Sequence, residues 1–278
     1  MSADDRIAKA ASLLLHSPPG EVDDVFNDIR GIVNDDEALQ EQIEPVLAES
    51  NMQQFLVVDV PDKQSKVLLT PYNLLDENNK YLDPNTKTVF TFDHLRRIGS
   101  DPEEYQGTMD DDDANEQLRT ELQKALEQYV ESHFKEGFVS VFVHEGSIVS
   151  CIVSNKFSPS NFWNGSWRAV WSFNPESNQL NGSIKVRVHY FEDGNVQLDT
   201  QSDFSRDVEA GGDVAKKVAK LIGQSEAEFQ QGINDGYRQL SEKTFKGLRR
   251  TLPVTRNKID WEKIANYKIG GELASAEN

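Results

Sequence analysis

The sequence has a single cysteine, Cys151, among its 278 residues. A lone cysteine cannot form an intramolecular disulfide, and so little cysteine is typical of proteins in a reducing compartment. The sequence also lacks any apolar run of about 18 residues, the length that would suggest a membrane span. Its first ten residues, MSADDRIAKA, contain no apolar signal-peptide core. We therefore expect a soluble protein that is not secreted.

The common catalytic signatures are missing too. The sequence contains no glycine-rich phosphate loop, no Gly-x-Ser-x-Gly elbow and no His-Glu-x-x-His motif, and its five histidines lack ligand spacing. The run Asp110–Asp113 lacks the central glycine and closing glutamate of an EF-hand. We expect no enzyme activity, cofactor or metal. One alternative stays open: His144 and Cys151 on neighbouring strands would permit a nucleophile pair, although packing of a buried Cys151 is favoured.

Basic residues are few, with 29 Lys and Arg against 47 Asp and Glu, which gives a net charge of −18. This acidity argues against nucleic acid as the main partner, because phosphates require basic surface. Residues Lys243–Lys268, here called the basic segment, run against that balance with eight cations and two anions. Apolar residues lie between the charges. This pattern predicts a docking element for an acidic surface.

A structural interpretation competes for part of the basic segment. Lys246, Arg249 and Arg250 precede Pro253, where a helix would end, and cations in a last helical turn stabilise the helix dipole. The same interpretation does not apply to Arg256 and Lys258, which follow the proline. For those two residues the binding interpretation is favoured.

Helical periodicity dominates the N-terminal fifty residues and predicts three short helices. Pro18-Pro19-Gly20 would end the first helix, and Asp35 or Asp36 would cap the third. Pro45 predicts a kink or break within that third helix. Short loops between short helices favour an antiparallel bundle.

Beyond residue 53 the period shortens to β-like runs at Phe55–Val60, Val67–Thr70 and Thr88–Phe92. The acidic residues 99–113 predict a solvated, mobile linker. A helix follows, with an apolar stripe that begins at Leu118.

Five strand candidates then follow in succession, and their short connections favour an antiparallel meander. They are Phe138–His144, Ile148–Ser154, Trp167–Phe173, Ile184–Phe191 and Val196–Thr200. Alternating side chains predict one covered face and one solvated face. The strand tryptophans Trp163, Trp167 and Trp171 are interpreted as core or subunit interface rather than as a ligand platform.

A long apolar stripe from Val214 to Leu248 predicts a helix that lies across this sheet, since its four glycines need packing to offset their low helix propensity. Past Pro253, apolar residues from Trp261 to Leu273 recur every fourth position. They predict a short amphipathic helix that is too short to be stable alone.

These patterns together predict an α+β protein in five parts. On this prediction residues 1–53 form a helical bundle, 54–113 a small β-rich globule with an acidic loop, 114–206 a helix and the meander sheet, 207–252 the long covering helix, and 253–278 a basic, amphipathic terminal segment.

Five stretches resemble the α subunit of the F-actin capping protein family. They are PPGEVDDVFNDIR (18–30), TFDHLR (91–96), NFWNGSWR (161–168), HYFEDGNVQL (189–198) and TFKGLRRTLPVTRNKIDWEKI (244–264). The resemblance runs over nearly the whole chain with the same order of elements. It implies that the helical bundle of residues 1–53 is a three-helix stalk, and it implies an obligate heterodimer with a β subunit of the same fold and a sheet continued across both chains.

The resemblance also implies a function and its residues. The family binds filament barbed ends and blocks subunit addition and loss without calcium, in the cytoplasm at the actin cytoskeleton. Its α-subunit cations correspond to Lys246, Arg250 and Arg256, and its C-terminal tentacle corresponds roughly to Ile259–Leu273. With the neighbouring positions of the basic segment, the predicted actin-binding residues are Lys246, Arg249, Arg250, Arg256, Lys258, Trp261, Ile264 and Ile269.

Phosphoinositides and capping-protein regulators are further candidate partners. On the predicted mechanism, the cations steer the encounter with acidic actin, and the amphipathic helix folds into an apolar cleft on actin. One alternative remains, a non-catalytic scaffold subunit whose basic C-terminal stripe binds an acidic partner protein or anionic lipid.

Overall fold

A computed structural model describes residue 9 and residues 12–33, 36–76, 78–106, 113–192 and 195–240. The chain divides into two compact units, Met1–Phe229 and Gln230–Asn278. The described elements mix helices with antiparallel sheets, so the predicted α+β class is confirmed. The five-part division stays a prediction, because residues 241–278 lie outside the described residues.

Four long helices are described, with bounds α1 Val22–Val33, α2 Asp36–Gln53, α3 Asp113–His133 and α4 Val214–Gln239. Residues 12–15 are also helical and precede α1. The apolar stripes of this region meet in a small core of Leu14, Ile29, Ile43 and Leu47. Pro45 lies inside α2, which continues to Gln53, so the predicted break is wrong.

Two small sheets follow the N-terminal helices. The first pairs β1 (Val57–Asp59) with β2 (Lys66–Leu68). The second is a four-stranded antiparallel sheet in chain order, with β3 at Leu74–Asp76, β4 at Lys80–Asp83, β5 at Thr88–Asp93 and β6 at Ile98–Glu104.

Three of these strands were missed from the sequence, and for β6 the prediction of a linker is wrong. Residues 98–104 pair with β5, with a register irregularity between Val89 and Thr91. Pro102 is tolerated there because it falls within this irregularity of an edge strand, without a register partner on β5. Residues 107–112 of the predicted linker lie outside the described residues.

The central sheet is the predicted five-stranded antiparallel meander. Its strands are β7 Gly137–His144, β8 Ser147–Ser158, β9 Trp163–Asn174, β10 Gln179–Tyr190 and β11 Val196–Asp207. They lie side by side in chain order, so each neighbouring pair is a hairpin. The register places Ile184 opposite Ala169 and Tyr190 opposite Val196. The strands run further than the apolar patterns predicted, because their ends are held by pairing rather than by burial.

The prediction that one sheet face is solvated fails for the middle strands. Cys151 and Val153 on β8 are buried in a core that includes Leu68 of β2 and Phe90 of β5. Ala169 and Trp171 of β9 are fully buried on the opposite face. Both faces of the sheet centre are therefore covered, and only β11 keeps a regularly exposed face.

The predicted helix cover is confirmed for residues 214–229. Ala215, Val218, Ile222 and Phe229 are buried on one side of α4. The Phe229 and Trp167 rings lie 5.7 Å apart, which places α4 directly on β9. The predicted continuation to Leu248 lies outside the described residues after Leu240.

Candidate functional site

All eight predicted actin-binding residues lie outside the described residues. The described chain ends at Leu240, before the basic segment begins. The structure therefore places none of them, and they stay a prediction. What it does describe is the body of the protein that precedes them: the central sheet, its two edges and the first part of α4.

Helix α4 approaches α3 closely at one glycine. A Cβ atom at Gly223 would lie 2.9 Å from Cε2 of Tyr129, closer than real Cβ atoms come to a neighbour. Only glycine lets the two helices approach this far with the ring in place. The low helix propensity of Gly223 is thus offset by packing, as the sequence predicted.

Helix α4 carries a buried carboxyl group, that of Glu226. Glu226 is fully buried, and the Tyr129 hydroxyl donates a hydrogen bond to its Oε2 atom (2.8 Å). Burial raises the pKa of Glu226 to about 7, although the hydrogen bond from Tyr129 acts to lower it. Burial, together with the Glu226 charge, also raises the pKa of Tyr129. The contact between α3 and α4 thus contains a carboxyl group whose protonated and ionised forms are both populated near neutral pH.

One edge of the central sheet is closed by side chains of α3. The Val141 amide donates to Oε1 of Gln123 (2.8 Å), and Nε2 of Gln123 donates to the Val139 carbonyl (3.1 Å). Arg119 adds a bond to the Val141 carbonyl (3.4 Å) and is itself paired with Glu116. These side chains occupy backbone groups of β7 that a further strand would need.

The opposite edge is open in the described part of the chain. Strand β11 pairs with β10 along all twelve of its residues, and no described strand pairs with its other side. Its residues alternate between half-buried and exposed, and Val196 is exposed. A long, regular edge of this kind is a template for pairing with another chain.

The structure also decides the nucleophile alternative. Cys151 is fully buried and pairs with Ser140, whereas His144 pairs with Ser147 at the far end of the hairpin. Burial raises the pKa of the Cys151 thiol, the opposite of an activated thiolate. The described residues contain no group of three or more His, Cys, Asp or Glu side chains that could hold a metal.

The sequence did not single out Glu226, Gln123 or Arg119. A signal was present for Glu226, because it occupies a helical position four residues after the buried Ile222 and three before Phe229. A carboxylate within an apolar stripe indicates either a buried polar contact or a break in the stripe. Gln123 and Arg119 carry no such signal, since their roles depend on where β7 lies.

Comparisons with known proteins agree with the resemblance in the sequence. A sequence model of the F-actin capping protein alpha subunit family matches residues 10–272. The chain is 35% identical to the F-actin-capping protein subunit alpha of Neurospora crassa over 272 residues, with 96% of each chain covered. It is also 35% identical to the Caenorhabditis elegans subunit (97% of each chain) and 34% identical to the Dictyostelium discoideum subunit (95% and 96%).

A solved structure has the same fold. It is titled a homodimeric actin capping protein alpha subunit from Plasmodium berghei, and it superposes with a TM-score of 0.74 at 23% identity. The match covers 91% of this chain and 98% of that one. None of the described helices combines the length and apolar character needed to cross a membrane.

The central sheet, closed at one edge and covered by α3 and α4, defines an α+β subunit of the capping-protein type. The chain belongs to the F-actin capping protein alpha subunit family, whose model matches from residue 10 to residue 272. That span includes the whole basic segment.

Proposed function

We propose that this chain caps the barbed ends of actin filaments as the alpha subunit of a heterodimer, and that it blocks subunit addition and loss without calcium. The observation that carries the proposal is the family match over residues 10–272, together with near-complete coverage of relatives named for capping F-actin. In the cell the protein then acts in the cytoplasm, at the actin cytoskeleton.

The partner proposed is a capping protein β subunit, and the open edge at β11 supports a dimer. A second strand paired there would satisfy the free backbone groups of a twelve-residue strand. The Gln123 contacts disfavour the same pairing at β7. The described edges thus give the chain one side suited to continuing the sheet. A second copy of the chain is the competing occupant, and the composition of the purified complex distinguishes the two.

The basic segment is the proposed contact with actin. Lys246, Arg249, Arg250, Arg256 and Lys258 concentrate positive charge in a chain of net charge −18, which speeds encounter with an acidic surface. The apolar residues after them are the proposed packing contacts, namely Trp261, Ile264 and Ile269. Because a short isolated helix is ordered only on binding, these contacts mainly slow dissociation. Phosphoinositides and regulators are proposed to compete for the same cations.

A pyrene-actin elongation assay tests the proposal. The chain is co-expressed with a capping protein β subunit, and the purified complex is added to filament seeds with free barbed ends. We expect substoichiometric arrest of elongation, slower depolymerisation on dilution, and equal effects in calcium and in chelator. A monodisperse complex that leaves elongation unchanged contradicts the proposal and favours the scaffold alternative. Arrest that requires calcium contradicts calcium independence alone.

A further inference from the structure

A pocket outside the predicted actin contact lies between the N-terminal helices and the central sheet. It has a volume of roughly 370 Å³ and is lined by three separate parts of the chain. Its lining includes Glu49, Gln54, Arg168, Lys185, Arg187 and Asp199. Volumes of about 300–1,000 Å³ are typical of small-molecule sites. We call it the junction pocket.

Arg168 is the most unusual side chain of the junction pocket. No ion pair joins it to a carboxylate among the described residues; its Nη atoms reach the Trp167 carbonyl (2.8 Å), the Ser154 carbonyl (3.5 Å) and Gln54 Oε1 (3.5 Å). Its Nε atom is buried without a hydrogen-bond partner in that part of the structure. Burial and the neighbouring Arg187 charge lower the pKa of Arg168 to about 9. A guanidinium in such surroundings lacks a compensating anion.

Strand register adds a second cation beside the first. Lys185 lies directly opposite Arg168 in the β9–β10 pair. Like charges directly opposite each other on a sheet are destabilising. Asp199 offsets part of this charge, but it is shared, at 3.7 Å from Lys185 and 3.5 Å from Arg187.

The charge balance of the junction pocket therefore differs from that of the chain. Its lining has three cationic side chains and two carboxylates, Asp199 and Glu49, in a protein with a large acidic excess. Gln53 donates a hydrogen bond to Glu49 (2.9 Å), and no described cation pairs with that carboxylate. Arg168 thus has no carboxylate partner among the described residues, and Lys185, directly opposite it, shares Asp199 with Arg187.

We propose that the junction pocket binds a small soluble oxyanion of the phosphate class between Arg168 and Lys185. Guanidinium and ammonium groups are the usual ligands of such anions, and arginine presents a fork of donors that matches their oxygens. Arg187 and Ser166 line the same pocket. Walls from three chain segments suit a dissolved ion better than a headgroup held in a flat bilayer. This site is independent of the proposed actin contact.

Binding there would also connect parts of the fold. Gln54 follows the end of α2, whereas Arg168 and Lys185 belong to the central sheet. An anion held by the sheet cations and by Gln54 would tie these parts together. Since a ligand that binds only the folded state stabilises it, phosphate is expected to raise the melting temperature of the complex.

Line broadening in phosphorus-31 NMR spectra and thermal melting test this site on the co-purified heterodimer. Sodium phosphate is compared with sodium chloride at equal ionic strength. We expect saturable broadening and a rise in melting temperature with phosphate only. Arg168→Gln should weaken the phosphate affinity by about tenfold or more, since a charge-assisted contact is lost. Arg96→Gln, a change at an exposed arginine paired with Asp93, should leave the affinity unchanged.

Lys185→Gln provides a second test in case the Arg168 variant does not fold. The Lys185 side chain is half exposed, so its substitution should disturb the fold less. It too should weaken phosphate binding while the melting temperature in chloride stays close to that of the unsubstituted protein. Equal phosphate affinity in all three variants would overturn the proposal, as would the absence of saturable broadening. Protection that depends on Arg168 but appears only with vesicles containing phosphatidylinositol bisphosphate would also overturn it, since the ligand would then be a lipid headgroup.

Discussion

Glu226 and His94 are buried titratable side chains that make stability depend on pH in opposite directions. His94 is nearly fully buried; Asn51 Nδ2 donates to its Nδ1 atom (3.1 Å), and its Nε2 atom bonds the Tyr81 hydroxyl (3.1 Å). Burial lowers the pKa of His94 to about 4, with a smaller opposing effect of Asp93. Burial raises the pKa of Glu226 to about 7. The folded state therefore favours the neutral form of both groups.

Glu226→Gln is expected to stabilise the protein in a pH-dependent way. Between pH 4.5 and about 7 the folded carboxyl holds a proton that the unfolded chain releases. The ionisation of Glu226 therefore lowers the free energy of unfolding as the pH rises through this range. Glutamine keeps an acceptor for Tyr129 and does not ionise. The variant should gain up to about 3 kcal/mol above pH 7 and nothing near pH 4.5. Denaturation at pH 5 and pH 8 measures this, with Glu131→Gln as an exposed control. An equal effect at both pH values contradicts the account.

His94→Gln should show the reverse dependence. The unfolded chain takes up a proton near pH 6.5, whereas folded His94 resists protonation down to about pH 4, so its contribution is present above pH 6.5 and is lost between those values. The variant should be less stable than the natural chain at pH 7, and the difference should shrink as the pH falls toward 4. Melting curves across this range check it. His133→Gln is the exposed control, and a constant difference would show that His94 is not buried in its neutral form.

At the scale of elements, the edge of the central sheet at β7 is covered in part by one side chain of α3, Gln123, through two hydrogen bonds. Gln123→Ala removes the two hydrogen bonds from Gln123 to β7 and leaves the Val141 amide and the Val139 carbonyl without these partners. The expected loss of stability is about 1–3 kcal/mol. Gln117 lies on an exposed part of α3 and donates a hydrogen bond to Glu121, so Gln117→Ala is the control variant. If urea denaturation gives similar values for the two variants, α3 does not close this edge.

Two glycines of α4 offer a matched pair. A Cβ at Gly223 would meet Tyr129 at 2.9 Å, whereas a Cβ at Gly232 would meet no described atom within 4 Å. Gly232→Ala should therefore raise stability by about 0.5–1 kcal/mol through helix propensity alone. Gly223→Ala should lower it, because the helix or the ring must move. Thermal melts of the two variants decide this, and a stabilising Gly223→Ala would mean that α4 and α3 are less closely packed.

The success of the sequence predictions differs between elements for physical reasons. The meander was predicted because hairpins are local and each strand alternates over many residues, as from Trp167 to Phe173. Strand β6 was missed because Asp101, Pro102 and Glu103 are poor strand formers, and its pairing with β5 overrides that preference. The second covered face was missed because its cover comes from distant residues such as Leu68.

At the scale of the whole molecule, the sequence identified the basic segment because its charges are contiguous along the chain. The junction pocket was not predictable in this way. Its lining runs from Leu15 to Asp199, and only folding brings Arg168 near Gln54. The same holds for the two sheet edges, whose difference depends on where α3 lies. A cluster of charges that is contiguous in the sequence can thus be proposed as a site before the structure, whereas residues brought together by topology cannot.

The central claim is that this chain arrests barbed-end growth through its basic segment. Single-filament fluorescence imaging of growing ends, with the co-purified heterodimer, tests it most directly. We expect abrupt and lasting growth arrest, and a lower rate of arrest at low salt for Lys246→Ala, Arg250→Ala and Arg256→Ala combined, because exposed cations mainly speed encounter. The control triple variant, with Lys63→Ala, Lys66→Ala and Arg96→Ala, should arrest growth at the unaltered rate. Barbed ends that keep growing in the presence of the folded complex, or equal arrest rates for both triple variants, would contradict the account.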